Sequence, residues 1–291
     1  MTPQELAGEV SSLFSLPDLV IRACAVMDSP TATAQDLIEV IEMDANLVAT
    51  VLRLANSALY AGRGNIATLN RAVALIGQNA VRDLVLATAA VDTFRGIPKE
   101  AVDMDSFWEN STTCAVIARL IAGRGRMRDG ESLFLSGLLH SVGRLVFLAR
   151  LPVECGEVLA LVRSGELSLN DAEVRVFGFS HAEVGAALLE GWGLPARLTL
   201  PVRYQLDPAA APDYPRECAI LHLAAEMACD IAPCLKTMLE AETYVPDPLA
   251  VDCMQLLGLT PAALTEISLD AMAASLEILE IIKPTTSVTY C

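Results

Sequence analysis

The sequence predicts an all-α fold, a multi-helical globule, with two closely packed helical lobes as the alternative arrangement. Three observations lead there. Apolar residues recur at helical spacing, as in Leu47, Val48, Val51, Leu52 and Ala55. Helix-capping residues such as Thr33, Asp44, Thr68 and Ser180 stand just ahead of those runs. No stretch shows a sustained two-residue alternation bounded by hairpin turns, so strands are not expected.

Each element follows from local chemistry. Pro17-Asp18 opens a helix, with proline at an early position where its missing N–H is not needed. Thr33 caps a second helix with Leu37, Ile38, Val40 and Ile41 on its apolar face, and Asp44 caps a third. Thr68 starts a short helix that Gly77 stops, and Val81–Phe94 is apolar on most sides. A further helix runs from Ser106 to Ile121. Ser132 to Leu148 reads as one strongly apolar helix, followed by the shorter Pro152–Val162 and Asn170–Phe177. Ser180-His181-Ala182-Glu183 is a capping box, in which serine and glutamate satisfy two orphan backbone donors; its helix ends near Gly191-Trp192-Gly193. Pro195–Gln205, Arg216–Ile231 and a helix from Thr260-Pro261 to Ile281 complete the series. The proline-rich Leu206–Pro215 is the best candidate for a joint.

Composition narrows the function. The chain has 291 residues, of which 53% are hydrophobic, and a net charge of −16. Duplex binding rests on Lys and Arg neutralising phosphates, so no nucleic-acid partner is expected. The longest stretch without a charge, Cys253 to Thr265, has 13 residues, short of the roughly 20 that a spanning helix needs, so no membrane insertion is expected. Met1-Thr2-Pro3-Gln4-Glu5 lacks the basic and apolar regions of a secretory signal. The eight cysteines contain no C-x-x-C pair, and most sit among Ala, Val, Leu and Ile, as small buried hydrophobes of a reducing cytoplasm do. Cys291 is the exception, in a polar tail expected to be disordered. An apolar chain of this kind could bury further surface in a homodimer.

Several stretches together resemble the HDOD domain, the HD-related output domain of bacterial signalling proteins. They are Leu52-Arg53-Leu54-Ala55-Asn56-Ser57-Ala58-Leu59-Tyr60, Ile66 to Gly77, Phe107-Trp108, Gly137-Leu138-Leu139-His140-Ser141-Val142-Gly143-Arg144-Leu145, His181-Ala182-Glu183-Val184-Gly185 and Trp192-Gly193-Leu194-Pro195. The resemblance implies a fold related to the HD metal-dependent phosphohydrolases and a regulatory role. It divides the chain into an N-terminal segment (1–15), an HDOD-like domain (16–207), a C-terminal helical extension packed on it (208–282) and a disordered tail (283–291).

HD enzymes hold a divalent metal with an early His, a consecutive His-Asp pair and a later Asp, because imidazole and carboxylate suit such ions and a bound water then becomes a nucleophile near neutral pH. In this sequence the resemblance places Asn110 at the early position and His140-Ser141 at the pair. His181 matches a later family histidine, Gln205 falls where relatives often carry histidine, and Glu226 corresponds to the final Asp. Two neutral side chains therefore stand where ligands are needed. The chain has three histidines, and His222 reads as a helix packing residue. The expectation is a degenerate site that binds no stoichiometric transition metal, with no cofactor and no catalytic residue. Arg124, Arg126 and Arg128 form the most basic local patch, a candidate for an anion or an acidic partner.

These readings predict a non-catalytic, cytoplasmic regulatory module acting in trans through protein–protein contacts. Its partner would be a signalling protein such as a kinase, a response regulator or a cyclic-nucleotide enzyme. Two alternatives stand beside it. One is a residual phosphohydrolase using His140, His181 and Glu226 on a nucleotide or phosphodiester. The other is a small-ligand sensor using the cavity that the metal site left behind.

Overall fold

A computed structural model describes residues 1–10, 13–28, 33–60, 66–94, 97, 102–125, 127, 130–237 and 246–282, which are helical with no strand. Helix α1 (Pro3–Val10) precedes α2 (Asp18–Asp28), which begins directly after Pro17. In α3 (Ala34–Ile41) the Thr33 hydroxyl accepts from the Asp36 backbone N–H while the Asp36 carboxylate accepts from that of Thr33, a full capping box. Asp44 caps α4 (Ala45–Asn56) by accepting from the Asn46 and Leu47 N–H groups. Thr68 caps α5 (Leu69–Ile76), and Gly77 stops it at φ 90°, a left-handed conformation that glycine adopts without penalty. Helix α6 (Gln78–Thr93) then starts at once, ahead of the expected Val81.

Helix α7 (Met104–Arg124) is longer than its apolar pattern suggested, because Asp103 rather than Ser106 caps it. After α8 (Gly130–Leu139) come α9 (Val142–Arg150), α10 (Pro152–Arg163), α11 (Leu169–Phe177), α12 (His181–Gly191) and α13 (Ala196–Tyr204). The chain ends its described course with α14 (Pro215–Thr237), α15 (Pro248–Leu257) and α16 (Pro261–Ile282). Helix α7 is the axis, with α8, α14 and α16 laid against it. Cys114, Ala115, Val116, Ile117 and Ala118 are all fully buried, as expected of a helix surrounded by others. A second group packs α12 against α1, α9 and α13. One buried apolar cluster runs from Leu6 to Ile282 through both groups.

Glycines set two close approaches. Gly137 lets α8 meet α7 so closely that an added Cβ would stand 2.6 Å from the Ala115 Cα. Gly143 brings the start of α9 onto α12, where an added Cβ would collide with the His181 carbonyl oxygen and lie 2.8 Å from the Gly185 nitrogen. This second contact explains the main departure from expectation. The predicted single helix from Ser132 to Leu148 is broken at His140-Ser141 into α8 and α9. A straight continuation would carry Gly143 off α12, so tertiary packing overrides the continuous apolar pattern. The stretch Gly130–Arg150 is long and apolar enough to cross a membrane by length and hydropathy, but most of it is buried in the protein. Two short helices, α1 and α15, were not foreseen, although Asp247-Pro248 is a regular helix start.

The aromatic residues tie the N-terminal segment down. Phe14 and Phe94 have ring centroids 4.8 Å apart, and the Trp192 indole N–H donates to the Phe14 carbonyl at 2.7 Å. Helix α16 is held by Arg124, whose guanidinium meets Glu266 at 2.7 Å and Asp270 at 3.4 Å, and by the Ala58 N–H, which donates to Glu277. Cys155, Cys218 and Cys253 are buried, and burial pushes their thiols up to about 11, 12 and 11, so they are inert as nucleophiles.

Candidate functional site

The break between α8 and α9 opens onto a cleft of about 440 Å³, walled on its other sides by α11, the start of α12, the end of α13, α14 and the start of α15. Asn110, His140, His181, Gln205 and Glu226, far apart in the chain, all line it. Ser141 is not among the lining residues. It is 4% exposed and occupies the N-cap position of α9 without making a side-chain cap. Of the proposed basic patch, Arg124 is engaged with Glu266 and Asp270, whereas Arg126 and Arg128 lie outside the described residues.

The three histidines share one orientation. His140 Nδ1 is 2.8 Å from the Gly137 carbonyl, His181 Nδ1 is 2.6 Å from Glu173 Oε2, and His222 Nδ1 is 2.8 Å from the Gln205 carbonyl. Each partner is an acceptor, so each Nδ1 carries the proton and a neutral ring keeps its lone pair on Nε2. Burial, helped by the nearby His181 and Arg144, pushes His140 down to about 3, so its ring is neutral. Burial and Arg144 likewise lower His181. Burial alone would raise the Glu173 carboxyl, but the His181 ring, Arg144 and the His181 backbone N–H outweigh it and hold it at about 2. Glu173 is thus a buried carboxylate with Arg144 as its counter-charge at 2.9 Å. Arg144 also donates to Asn170 at 3.2 Å.

Gln205 does structural work. Its side-chain amide donates to the His140 carbonyl at 2.7 Å and the Val202 carbonyl at 2.9 Å, tying the end of α13 to the helix break. The residues at the compared metal positions do not make an HD-type site. Asn110 offers a neutral amide, whose nitrogen lies 3.9 Å from the Cys229 sulfur, and Ser141 offers a neutral hydroxyl off the cleft. Neither supplies the carboxylate or imidazole that would offset a divalent charge.

Sequence reasoning missed several residues at and behind the cleft. Arg144 and Asn170 in its lining and the buried Glu173 form the network that orients His181, and no single motif marks them. Asp247 also lines the cleft, and His222, Glu226 and Asp247 bring candidate ligand atoms within 4.8 Å of one another. The i,i+4 spacing of His222 and Glu226 was a readable signal that they share a helix face.

An all-α domain with a histidine-lined cleft at a broken helix is of the HD-related class. Within that class the chain belongs to the HDOD domain family, whose model matches residues 13–208. A solved structure from Shewanella amazonensis, proposed to be a phosphohydrolase, is 27% identical and superposes with a TM-score of 0.73 over 95% of this chain and 97% of that one. A proposed signal transduction protein from Marinobacter aquaeolei is 25% identical, with a TM-score of 0.63 over 92% of this chain and 58% of that one. An uncharacterized protein of Treponema pallidum is 21% identical over 209 residues, and the chain spans 40% of its length.

Proposed function

We propose that this HDOD protein is a non-catalytic, cytoplasmic regulatory module of signal transduction. It acts in trans by presenting helical surfaces to a kinase, a response regulator or a cyclic-nucleotide enzyme. In this reading residues 16–207 carry the family domain and 208–282 an extension packed on it. The observation that carries the reading is the neutral pair Asn110 and Ser141, with Ser141 buried outside the lining of the cleft. The similarity to the Marinobacter signal transduction protein supports the regulatory class.

The test has two arms. The purified protein is assayed against phosphomonoesters and cyclic dinucleotides with Mn²⁺ or Fe²⁺, and no turnover is expected. Affinity capture from native lysate, followed by rebinding of purified candidates, is expected to return a signalling protein. Metal-dependent turnover that is lost in His140→Ala would overturn the reading in favour of a residual phosphohydrolase. The 440 Å³ cleft with Arg144 and Asn170 in its lining favours one second reading, a small-ligand sensor. A thermal-shift screen tests it, since a ligand that binds the folded state raises the midpoint by mass action.

A further inference from the structure

We propose that His222, Glu226 and Asp247 form a binding site for one first-row divalent cation of the zinc class, which clips the start of α15 onto α14. His222 and Glu226 stand one turn apart on α14, and Asp247 is the N-cap residue of α15. Glu226 is the residue compared above with the last acid of the HD set. His222 and Asp247 have no counterpart in that set, and all three lie beyond the segment 13–208 that the family model matches.

A second observation points to a ligand. His222 is 8% exposed, and its Nε2 is buried with no hydrogen-bond partner among the described residues. Nδ1–H donates to the Gln205 carbonyl, which leaves Nε2 as the ring atom that can offer a lone pair to a cation. The nearest carboxylate oxygen, Glu226 Oε1, is 3.9 Å away. A cation between a ring nitrogen and a carboxylate oxygen attracts both, whereas a shared proton would draw them to a hydrogen-bond length of about 2.8 Å. Ligand atoms each about 2.1 Å from one ion stand at most about 4.2 Å apart. The 3.9 Å gap therefore suits two ligands of one ion, and the widest spacing in the group, up to 4.8 Å, closes with a small shift of the exposed Asp247.

The Gln205 carbonyl on the far ring nitrogen is the usual orienting partner of a metal-bound histidine. One imidazole with two carboxylates selects Zn²⁺ and its neighbours over Mg²⁺ or Ca²⁺, which prefer all-oxygen shells. This departs from the expectation of no stoichiometric metal, which took His222 as a helix packing residue rather than a replacement ligand.

The test uses the full chain, stripped with a chelator and titrated with Zn²⁺ by calorimetry, with the thermal midpoint as a second readout. One ion per chain is expected, with a raised midpoint. Asp247→Asn keeps the helix cap and so should fold; it and Glu226→Gln are each expected to weaken binding at least about tenfold, and His222→Gln more. Unchanged affinity in folded Asp247→Asn overturns the proposal. So does binding that disappears in folded His181→Gln while surviving the α14 and α15 substitutions, which would place the ion on the other wall. Wild-type affinity weaker than about 100 μM overturns it as well. The proposed regulatory role is tested separately, by turnover and partner capture, so this ion can fail while that role stands and the reverse.

Discussion

On one wall of the cleft stand His140 and His181, with Ser141 buried off the lining; on the other, His222 and Glu226 share a face of α14 beside Asp247, and Asn110 reaches Cys229 of the same helix. The first wall keeps imidazoles but has no carboxylate at the compared positions. Its buried acid, Glu173, is already matched by His181 and Arg144. The second wall has one imidazole and two carboxylates, and the Nε2 of that imidazole has no hydrogen-bond partner among the described residues. The difference teaches that burial and histidine content do not by themselves make a ligand site. What separates a structural polar network from a binding site is whether its polar atoms already have partners within the protein.

The first wall should therefore behave as architecture. The largest expected effect is Gly143→Ala, whose methyl would meet the backbone of His181 and Gly185, where nothing flexible can yield. A loss of about 3 kcal/mol or more is expected in urea unfolding, at the upper end for overpacking. If the loss is small, the α9–α12 contact is not what breaks the apolar helix.

Acid comes next. His140 titrates near 6.5 when unfolded and about 3 when folded, so below 6.5 the unfolded chain takes up a proton that the native state refuses. Stability is full above pH 6.5 and falls toward pH 3, by on the order of 3 kcal/mol at pH 4. Glu173 adds a loss in the same direction between its ordinary 4.5 and about 2. His181 is lowered in the same direction and contributes to the same window, so His140→Gln should shrink the upper window and leave the lower one, as read from unfolding midpoints across pH.

Glu173→Gln should cost about 2 kcal/mol, because it removes a charge that Arg144 and His181 share in a buried place. If the first wall is purely architectural, this variant loses stability in chemical unfolding while Zn²⁺ affinity stays within about twofold in the variants that fold. The smallest effect is Arg124→Ala, outside both walls. Glu266 and Asp270 are 67% and 61% exposed, so these pairs are worth at most about 0.5 kcal/mol in thermal unfolding.

Much of the fold was legible in local chemistry. Thr33, Asp44, Thr68 and Ser180 cap the helices that their positions announced, since a cap needs only its own next three residues. Asn110, His140, His181, Gln205 and Glu226 were named from the resemblance, and the structure places all five in the lining of one cleft. Asp247 was not legible as a site residue, because it lies on a different helix from His222 and Glu226 and no local pattern links them. Glu173 was missed for the same reason, and Gln205 was read as a lost ligand although its amide braces the helix break.

By itself, then, the sequence determined the helical class and the principal caps, both of which depend on residue type and short spacing. Only the tertiary structure decided that the apolar run from Ser132 breaks at His140, that Ser141 is withdrawn from the cleft, and that His222 meets Glu226 and Asp247. These depend on backbone contacts such as Gly143 against His181 and on the docking of α15 against α14. Such contacts join residues distant in the chain, and their energies are set by three-dimensional packing, which no short window of sequence contains.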